Sequence, residues 1–325
     1  MSFTLVTGGA GFIGSQLVNT IYDRNPKAKV VVIDNLSTGR RKLIDSRAKF
    51  FKADIKNNIM LKSIFSKYKI NSVFHFAANI SVEDSEKNPK KYYLNNVIGT
   101  ENLLKLCKIK KIKFFIFSST SAVYGNVRGK VNEDSIKMPE SNYGRTKLFA
   151  EYLVKNYFTK SNINYAILRY FNVVGADIHL RSGQICEGSL FKTINKNILK
   201  NNYSIKVFGN NYKTQDGTCI RDYIDVNDLC EIHLRALSYL KKNKKNLVVN
   251  CGYGEGSSVK KIIKLFSNLI NKKLLIINRP RRIGDVEKIY CDTKKLKKTF
   301  PNWIRKFSLK DSIKNSLDWE RKQRR

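Results

Sequence analysis

Residues 7–14 read TGGAGFIG, and they leave the chain little freedom. The apolar run FTLVT (3–7) ahead of them reads as a strand, and a helical stretch from about Phe12 to Arg24 follows. Glycines at 8, 11 and 14 permit a tight strand-to-helix turn. They also let an anion approach backbone N–H groups at a helix N-terminus, where the helix dipole favours negative charge. Such a triplet alone is weak evidence. Here the next strand, KVVVIDN (29–35), ends on Asp34, twenty residues beyond Gly14, where a carboxylate accepts hydrogen bonds from a ribose 2′-hydroxyl. Together these residues read as a dinucleotide site. The charge of Asp34 would repel a 2′-phosphate, which favours NAD over NADP.

The first half continues to alternate short β-branched runs with helical stretches. SVFHFAA (72–78) and KFFIFSS (113–119) read as strands, with the helix YYLNNVIGTENLLKLCK (92–108) between them. A further helix starts near Tyr143, and NYAILRYFN (164–172) is strand again. This alternation predicts an α/β fold, a Rossmann-type doubly wound parallel sheet with helices on both faces. Past residue 172 the loops lengthen and Asn and Gly become more frequent, which predicts a smaller C-terminal α/β domain. The expected boundaries are 1–171 for NAD binding and 172–325 for the substrate, with about 221–237 returning to the first domain. A chain of 325 residues can bury a core in each.

Charge is the unusual bulk property: 62 basic residues stand against 26 acidic ones, a net +36. The lysines are spread along most of the chain. The short runs KKNKK (241–245), KKLKK (294–298) and RKQRR (321–325) fall at an expected loop, an exposed helix and the C-terminus, where a solvated face is the ordinary explanation. No specific nucleic-acid partner is expected. No apolar run approaches the length of a membrane span, and the glycine turn from Gly8 leaves no room for a signal peptide, so a cytoplasmic protein without a membrane partner is expected. The six cysteines (Cys107, Cys186, Cys219, Cys230, Cys251, Cys291) form no CxxC pair and have no histidine cluster beside them. They are expected to be reduced thiols, with no metal site.

The segment YGRTK places Tyr143 and Lys147 four apart, on one face of a helix. A phenol, with an ordinary pKa of about 10, is a poor base at neutral pH. A nearby ammonium favours the phenolate, so Tyr143 could take a proton from an alcohol while a nicotinamide takes the hydride. This spacing is common by chance. Its weight comes from following a dinucleotide signature and a hydroxyl-bearing strand end, Ser118 to Thr120. Together these residues resemble the short-chain dehydrogenase/reductase superfamily, in its extended, nucleotide-sugar-modifying branch. The resemblance implies that Thr120 hydrogen-bonds the reacting oxygen and that Ser118 lies close to the nicotinamide.

The stretch SSTSAVYG (118–125) narrows the reaction. Dehydratases of that branch carry a Glu two residues after the catalytic Thr, usually with an acidic or polar neighbour, to expel a hydroxyl. Ser121 and Ala122 stand at those positions here, which leaves hydride chemistry alone. The segments VTGGAGFIGS, VIDNLSTG, HFAA, NNVIGT, YGRTK, LRYFNVVGA, TQDGTCIRDYIDV and RRIGDV occur in the order and spacing seen in the UDP-glucose 4-epimerases, over essentially the whole chain. DGTCIRDYIDV (216–226) is the most specific of them. The resemblance implies interconversion of UDP-galactose and UDP-glucose through a 4-keto intermediate, with NAD tightly bound.

Carried over by position, the resemblance implies that Gly8, Gly11, Phe12, Ile13 and Gly14 wrap the pyrophosphate. Asp34 and Asn35 would hold the adenosine ribose, with Ser37, Thr38 and Gly39 near it, and Asp54 and Ile55 would flank the adenine. Phe76, Ala77, Ala78 and Asn96 would line the cofactor, with Phe171 near the nicotinamide. For the nucleotide sugar, Asn172 would bind the diphosphate region, and Ser189 is a further substrate position. Arg221 and Arg282 would clamp phosphate, Asp285 would hold the uridine ribose, and Lys206, Val207 and Phe208 the uracil edge. There are departures: Ile80 stands where many members have Lys, and Ser189 where they have Asn. Ile289 stands where a bulky Tyr tends to exclude an N-acetyl group, so more room is expected near the sugar 2-position. N-acetylated and pentose UDP-sugars, which close relatives handle, are alternative substrates, and a nucleotide-sugar dehydrogenase is the alternative enzyme. A basic scaffold on a dehydrogenase fold is the non-enzymatic alternative, against which intact Thr120, Tyr143 and Lys147 stand. The expected partners are the UDP-sugar and a second copy of the chain, since a homodimer is usual for the family.

Overall fold

A computed structural model describes every residue except Met1, Arg128, Ile283 and Arg325. Ile283 of the RRIGDV segment and Arg325 of the C-terminal basic run therefore lie outside the described residues. The chain opens with β1 (Phe3–Thr7), α1 (Phe12–Arg24), β2 (Val30–Asp34), β3 (Lys49–Lys52), α2 (Asn58–Lys67) and β4 (Ile70–His75). Next come α3 (Val82–Lys87), α4 (Pro89–Tyr93), a π-helical turn (Leu94–Gly99) and α5 (Thr100–Ile109). They are followed by β5 (Phe114–Thr120), β6 (Gly129–Val131), α6 (Asn142–Phe158) and β7 (Asn164–Tyr170). The second half holds β8 (Asn172–Val174), α7 (Leu190–Leu199), β9 (Ser204–Phe208), β10 (Ile220–Asp225), α8 (Val226–Asn243) and β11 (Leu247–Cys251). It ends with β12 (Gly256–Ser258), α9 (Val259–Ile270), β13 (Leu275–Arg279), β14 (Lys288–Cys291), α10 (Lys294–Thr299) and α11 (Leu309–Lys322).

These elements form two compact units, each interrupted along the chain. Unit 1 takes Met1–Gly125, Ile136–Arg169 and Cys230–Val249. Unit 2 takes Asn126–Ser135, Tyr170–Leu229 and Asn250–Arg325.

Unit 1 is built on a seven-stranded sheet of order β11-β7-β5-β4-β1-β2-β3. The pairings β1–β2, β2–β3, β1–β4 and β4–β5 are parallel, as the alternating sequence pattern predicts. All five residues of β2 are buried, which is why it reads as an unbroken apolar run ending in Asp34. One core cluster joins Leu5, Val31, Phe115, Phe117 and Ile167 from the sheet with Leu103, Leu104, Val154 and Phe158 from α5 and α6. The order runs outward from β1 in both directions, so the carboxyl end of β1 is the topological switch point at which doubly wound sheets bind ligands.

Unit 2 has a sheet of order β12-β10-β14-β6, with β8 also paired to β10, and a separate parallel pair β9–β13. Its core gathers Phe191 and Ile194 of α7, Ile262 and Phe266 of α9, and Ile313 and Leu317 of α11. Among the described residues no helix is long and apolar enough to cross a membrane.

Candidate active site

The glycine turn of unit 1 is shaped by what cannot fit there. Gly8 has φ +70°, and a Cβ on it would lie 2.6 Å from the Ala77 nitrogen. A Cβ on Gly14 would run into the Gly8 carbonyl oxygen. Gly11 is the N-cap of α1, without a side-chain cap, and the first turn carries no acidic residue. The N–H groups of Phe12, Ile13 and Gly14 therefore have no intrahelical acceptor, and no carboxylate competes for them. Close backbone, available donors and a positive dipole end suit a pyrophosphate.

Asp34, at the end of β2, is buried and tied to the turn: Oδ2 accepts from Ala10 N (2.9 Å) and Oδ1 from Leu36 N (2.8 Å). Burial pushes its carboxyl up, and the two N–H donors pull it back. Asn35 donates to Asp54 Oδ2 (3.0 Å) and accepts from Ser37 N (2.9 Å), so three of the expected ribose and adenine residues come together. A Cβ on Gly39 would sit 2.9 Å from Asp34 Oδ1, which places this loop against the carboxylate. The Ile55 side chain is buried instead beneath Gly99. Phe76, Ala77 and Ala78 follow β4. Asn96 lies in the π-helical turn, a device often found at functional sites. It accepts from Asn79 N (2.8 Å) and donates to Asn79 O (3.0 Å) and Thr146 Oγ1 (3.2 Å), fastening the loop after β4 to α6. Ile80, in that loop, is exposed.

Ser141 caps α6 by accepting from Gly144 N (3.1 Å), which sets Tyr143 in the first turn and Lys147 one turn on. Thr120 ends β5. Its oxygen accepts from Ala122 N (3.1 Å), and its hydroxyl hydrogen-bonds the Tyr143 phenol. The Lys147 ammonium lies 4.4 Å from the centroid of the Phe117 ring. Strand alternation sends Ser118 and Thr120 to one face of β5 and Ser119 to the other, where it donates to Glu151 Oε1 (2.5 Å).

The charge states differ from the sequence expectation. Lys147 was expected to lower the phenol, but in the protein alone desolvation prevails. Burial pushes Tyr143 up to about 12, with the Thr120 hydrogen bond pulling the other way. Burial pushes Lys147 down to about 7, with the negative charge of Glu151 opposing. A neutral amine cannot help form a phenolate, so whatever keeps Lys147 charged matters.

Sequence reasoning missed Ser119, Tyr124, Glu151 and Arg169, which join in one buried polar group. One signal was visible: Arg169 is a cation inside the otherwise apolar strand NYAILRY. It missed His75 too, which is buried with Thr7 Oγ1 at 2.6 Å from Nδ1 and Thr100 Oγ1 at 2.9 Å from Nε2.

In unit 2 the expected nucleotide residues fall into two groups. Arg221 Nη2 lies 3.7 Å from Asp285 Oδ1. The Arg282 guanidinium stands 3.9 Å from the centroid of the Phe208 ring. Burial pushes the Asp285 carboxyl up while Arg221 and Arg282 pull it down. Ile289 is opposite Arg221 in the β10–β14 register and is buried (5% exposed). On β9, Val207 turns into the core and Lys206 is exposed. The second group is Asn172 and Ser189, which line a cavity of about 80 Å³ with Gln184, Leu190 and Tyr223. Ser189 also caps α7. Phe171 is buried and donates from its N–H to Cys251 O (3.4 Å).

Residues 4–252 match the model of the Epimerase family, described as the NAD dependent epimerase/dehydratase family. The chain belongs to that family. Among its relatives, the UDP-glucose 4-epimerase of Azospirillum brasilense is 35% identical over 321 residues, covering 98% of this chain and 91% of the relative. The crystal structure of UDP-glucose 4-epimerase from Brucella ovis in complex with NAD superposes with a TM-score of 0.91 at 35% identity, covering 98% of each chain. The UDP-Glc/GlcNAc 4-epimerase of Campylobacter jejuni gives a TM-score of 0.85 at 36% identity, covering 99% of this chain and 100% of its own. Membership in the epimerase/dehydratase family accords with the glycine cradle and the Asp34 strand end.

Proposed function

We propose that the protein is a UDP-glucose 4-epimerase that interconverts UDP-galactose and UDP-glucose with NAD held throughout. The observation that carries this reading is the Thr120–Tyr143–Lys147 group, set on a strand end whose next residues, Ser121 and Ala122, offer no acid. Such a group can move a proton to and from a hydroxyl but has no means of expelling one as water. When bound, NAD supplies the reversible hydride acceptor that inversion at C4 through a 4-keto sugar requires.

The chain's own residues divide the remaining work. Gly8, Gly11 and the first turn of α1 receive the pyrophosphate, and Asp34 receives the ribose and discriminates against a 2′-phosphate. Tyr143 takes the proton of the 4-hydroxyl and gives it back, with Thr120 aligning the same oxygen. Lys147, when charged, favours the phenolate. Arg221, Arg282 and Asp285 serve the nucleotide, Phe208 its base, and Asn172 and Ser189 its diphosphate. Ile289, smaller than tyrosine, favours a second activity on N-acetylated UDP-sugars, as the name of the Campylobacter jejuni UDP-Glc/GlcNAc 4-epimerase supports. A homodimer in the cytoplasm completes the reading.

The test is to purify the protein, release and identify its bound nucleotide, and assay UDP-galactose conversion without added cofactor. Turnover with bound NAD supports the proposal. A requirement for added NAD, with NADH accumulating, would make it a nucleotide-sugar dehydrogenase.

A further inference from the structure

Next to the Thr120–Tyr143–Lys147 group lies a pair of opposite charges that the proton chemistry above does not use. Glu151, one helical turn past Lys147, is 0% exposed, and Arg169 on β7 is 1% exposed. Arg169 donates from Nε to Glu151 Oε1 (2.9 Å) and from Nη2 to Oε2 (2.6 Å), a two-pronged fork. Ser119 donates to the same carboxylate, and Arg169 Nη1 donates to the Tyr124 hydroxyl (2.9 Å). Burying such a pair costs several kcal/mol of desolvation, and apolar residues of similar volume often do as well, so stability is a weak reason for it. The carboxylate sits, however, beside both parts of the reacting group in the chain. Ser119 precedes Thr120 on the strand end, and Lys147 is four residues back on the same helix face. Tyr124 closes the turn, Ser121–Tyr124, that Thr120 caps.

We infer that Glu151 and Arg169 are positioning residues for the reaction. Glu151 favours the ammonium form of Lys147 and anchors the β5 end through Ser119, and the Arg169 fork fixes the Glu151 carboxylate in place. This inference rests on the epimerase reading. Other groups also lie near Lys147. Tyr143 is on its own helix, and Phe117 offers only the face of its ring. His75 on β4 is pushed down to about 3 by burial and by Lys147 itself, so it stays neutral. Glu151 supplies the negative charge that opposes desolvation of the amine. Without it the Lys147 amine would give up its proton at lower pH still, and the phenol would ionise only at higher pH.

The test uses the NAD-loaded full chain as wild type, Glu151→Gln, and Glu151→Gln combined with Arg169→Met. The double variant leaves no lone buried charge and serves if the single one does not fold. Two quantities are read: the pH profile of kcat with UDP-galactose, and the phenolate absorbance of Tyr143, taken as the difference from the same background carrying Tyr143→Phe. In both variants the rising limb of kcat and the phenol titration should move alkaline by about one pH unit, with kcat at pH 7 down about tenfold and KM little changed. A folded double variant with limb and phenol in place, or loss of folding in both variants, reduces the pair to scaffolding and overturns the inference. The phenol titration needs no turnover. A wild type that does not epimerise but whose phenol still shifts with Glu151→Gln would sink the proposed function and leave the inference standing.

Discussion

The two units handle charge in opposite ways. In unit 1 the groups that matter are buried and already partnered within the protein. Lys147 lies over Phe117, Thr120 bonds Tyr143, and Glu151 grips Arg169. In unit 2 several of the expected nucleotide residues are open, although Arg221, Val207 and Ile289 are not. Arg282 is exposed over Phe208, Asn172 is exposed, and all five residues of β13 are exposed. The contrast follows from what each must do. Proton transfer needs groups held within a fraction of an ångström, which only a packed interior supplies. A charged nucleotide can be met by flexible cations that keep their hydration until it arrives.

The contrast breaks most visibly at Tyr143. Tyr143→Phe keeps the ring and removes the acid–base group, so kcat should fall by at least about a hundredfold while UDP-sugar affinity survives. Near-wild-type turnover in steady-state assays would remove Tyr143 from the chemistry. Arg282→Ala should do the reverse, raising KM by about ten- to a hundredfold as one charged contact is lost, with kcat nearly intact. A matching collapse of kcat would mean that unit 2 takes part in the chemical step. Ile289→Tyr should cost activity on UDP-N-acetylglucosamine by about tenfold relative to UDP-glucose, the scale of one small group in a pocket. An unchanged activity ratio would show that Ile289 does not gate the sugar.

The smallest effect is on stability, and its sign is opposite to that on activity. Lys147 titrates near 7 in the folded chain, against an ordinary 10.5. Between those values the unfolded chain binds more protons, so wild-type stability rises from pH 7 to about 10 and the full cost of the buried charge is present below 7. Lys147→Met should therefore be more stable than wild type by about 1–2 kcal/mol at pH 7, after discounting the lost contact with Phe117. That advantage should shrink as the pH is raised toward 10. Denaturant melts at both pH values check it, and a less stable variant at pH 7 would show that the amine is well solvated or firmly paired.

The sheet of unit 1 was legible because its strands are continuous apolar runs and its helices alternate with them. TGGAGFIG and Asp34 were legible because glycine geometry and a strand-end carboxylate each leave a mark on the sequence. The π-helical turn that carries Asn96 was not, since LNNVIG differs in no residue type from an ordinary helix. Nor was the Glu151–Arg169 pair. Arg169 stood out in its strand, but its partner is fixed only when β7 packs against α6. The phenol of Tyr143 was misjudged for a related reason: sequence spacing reports the nearby ammonium and says nothing of how much water both groups lose. The pairing of β6 with β14 joins Gly129 to Ile289, a register that no local pattern announces.

The chain passes from one unit to the other five times, because each unit is assembled from three separate stretches. A gene cut at residue 171 would deprive unit 1 of Cys230–Val249, with most of α8 and part of β11, and unit 2 of β6. Neither unit can then be inherited, duplicated or traded as a single block of coding sequence. Descendants of this protein that acquire a new sugar must do so by substitution in place, so their ancestry should read as one continuous lineage over the full chain and not as a mosaic.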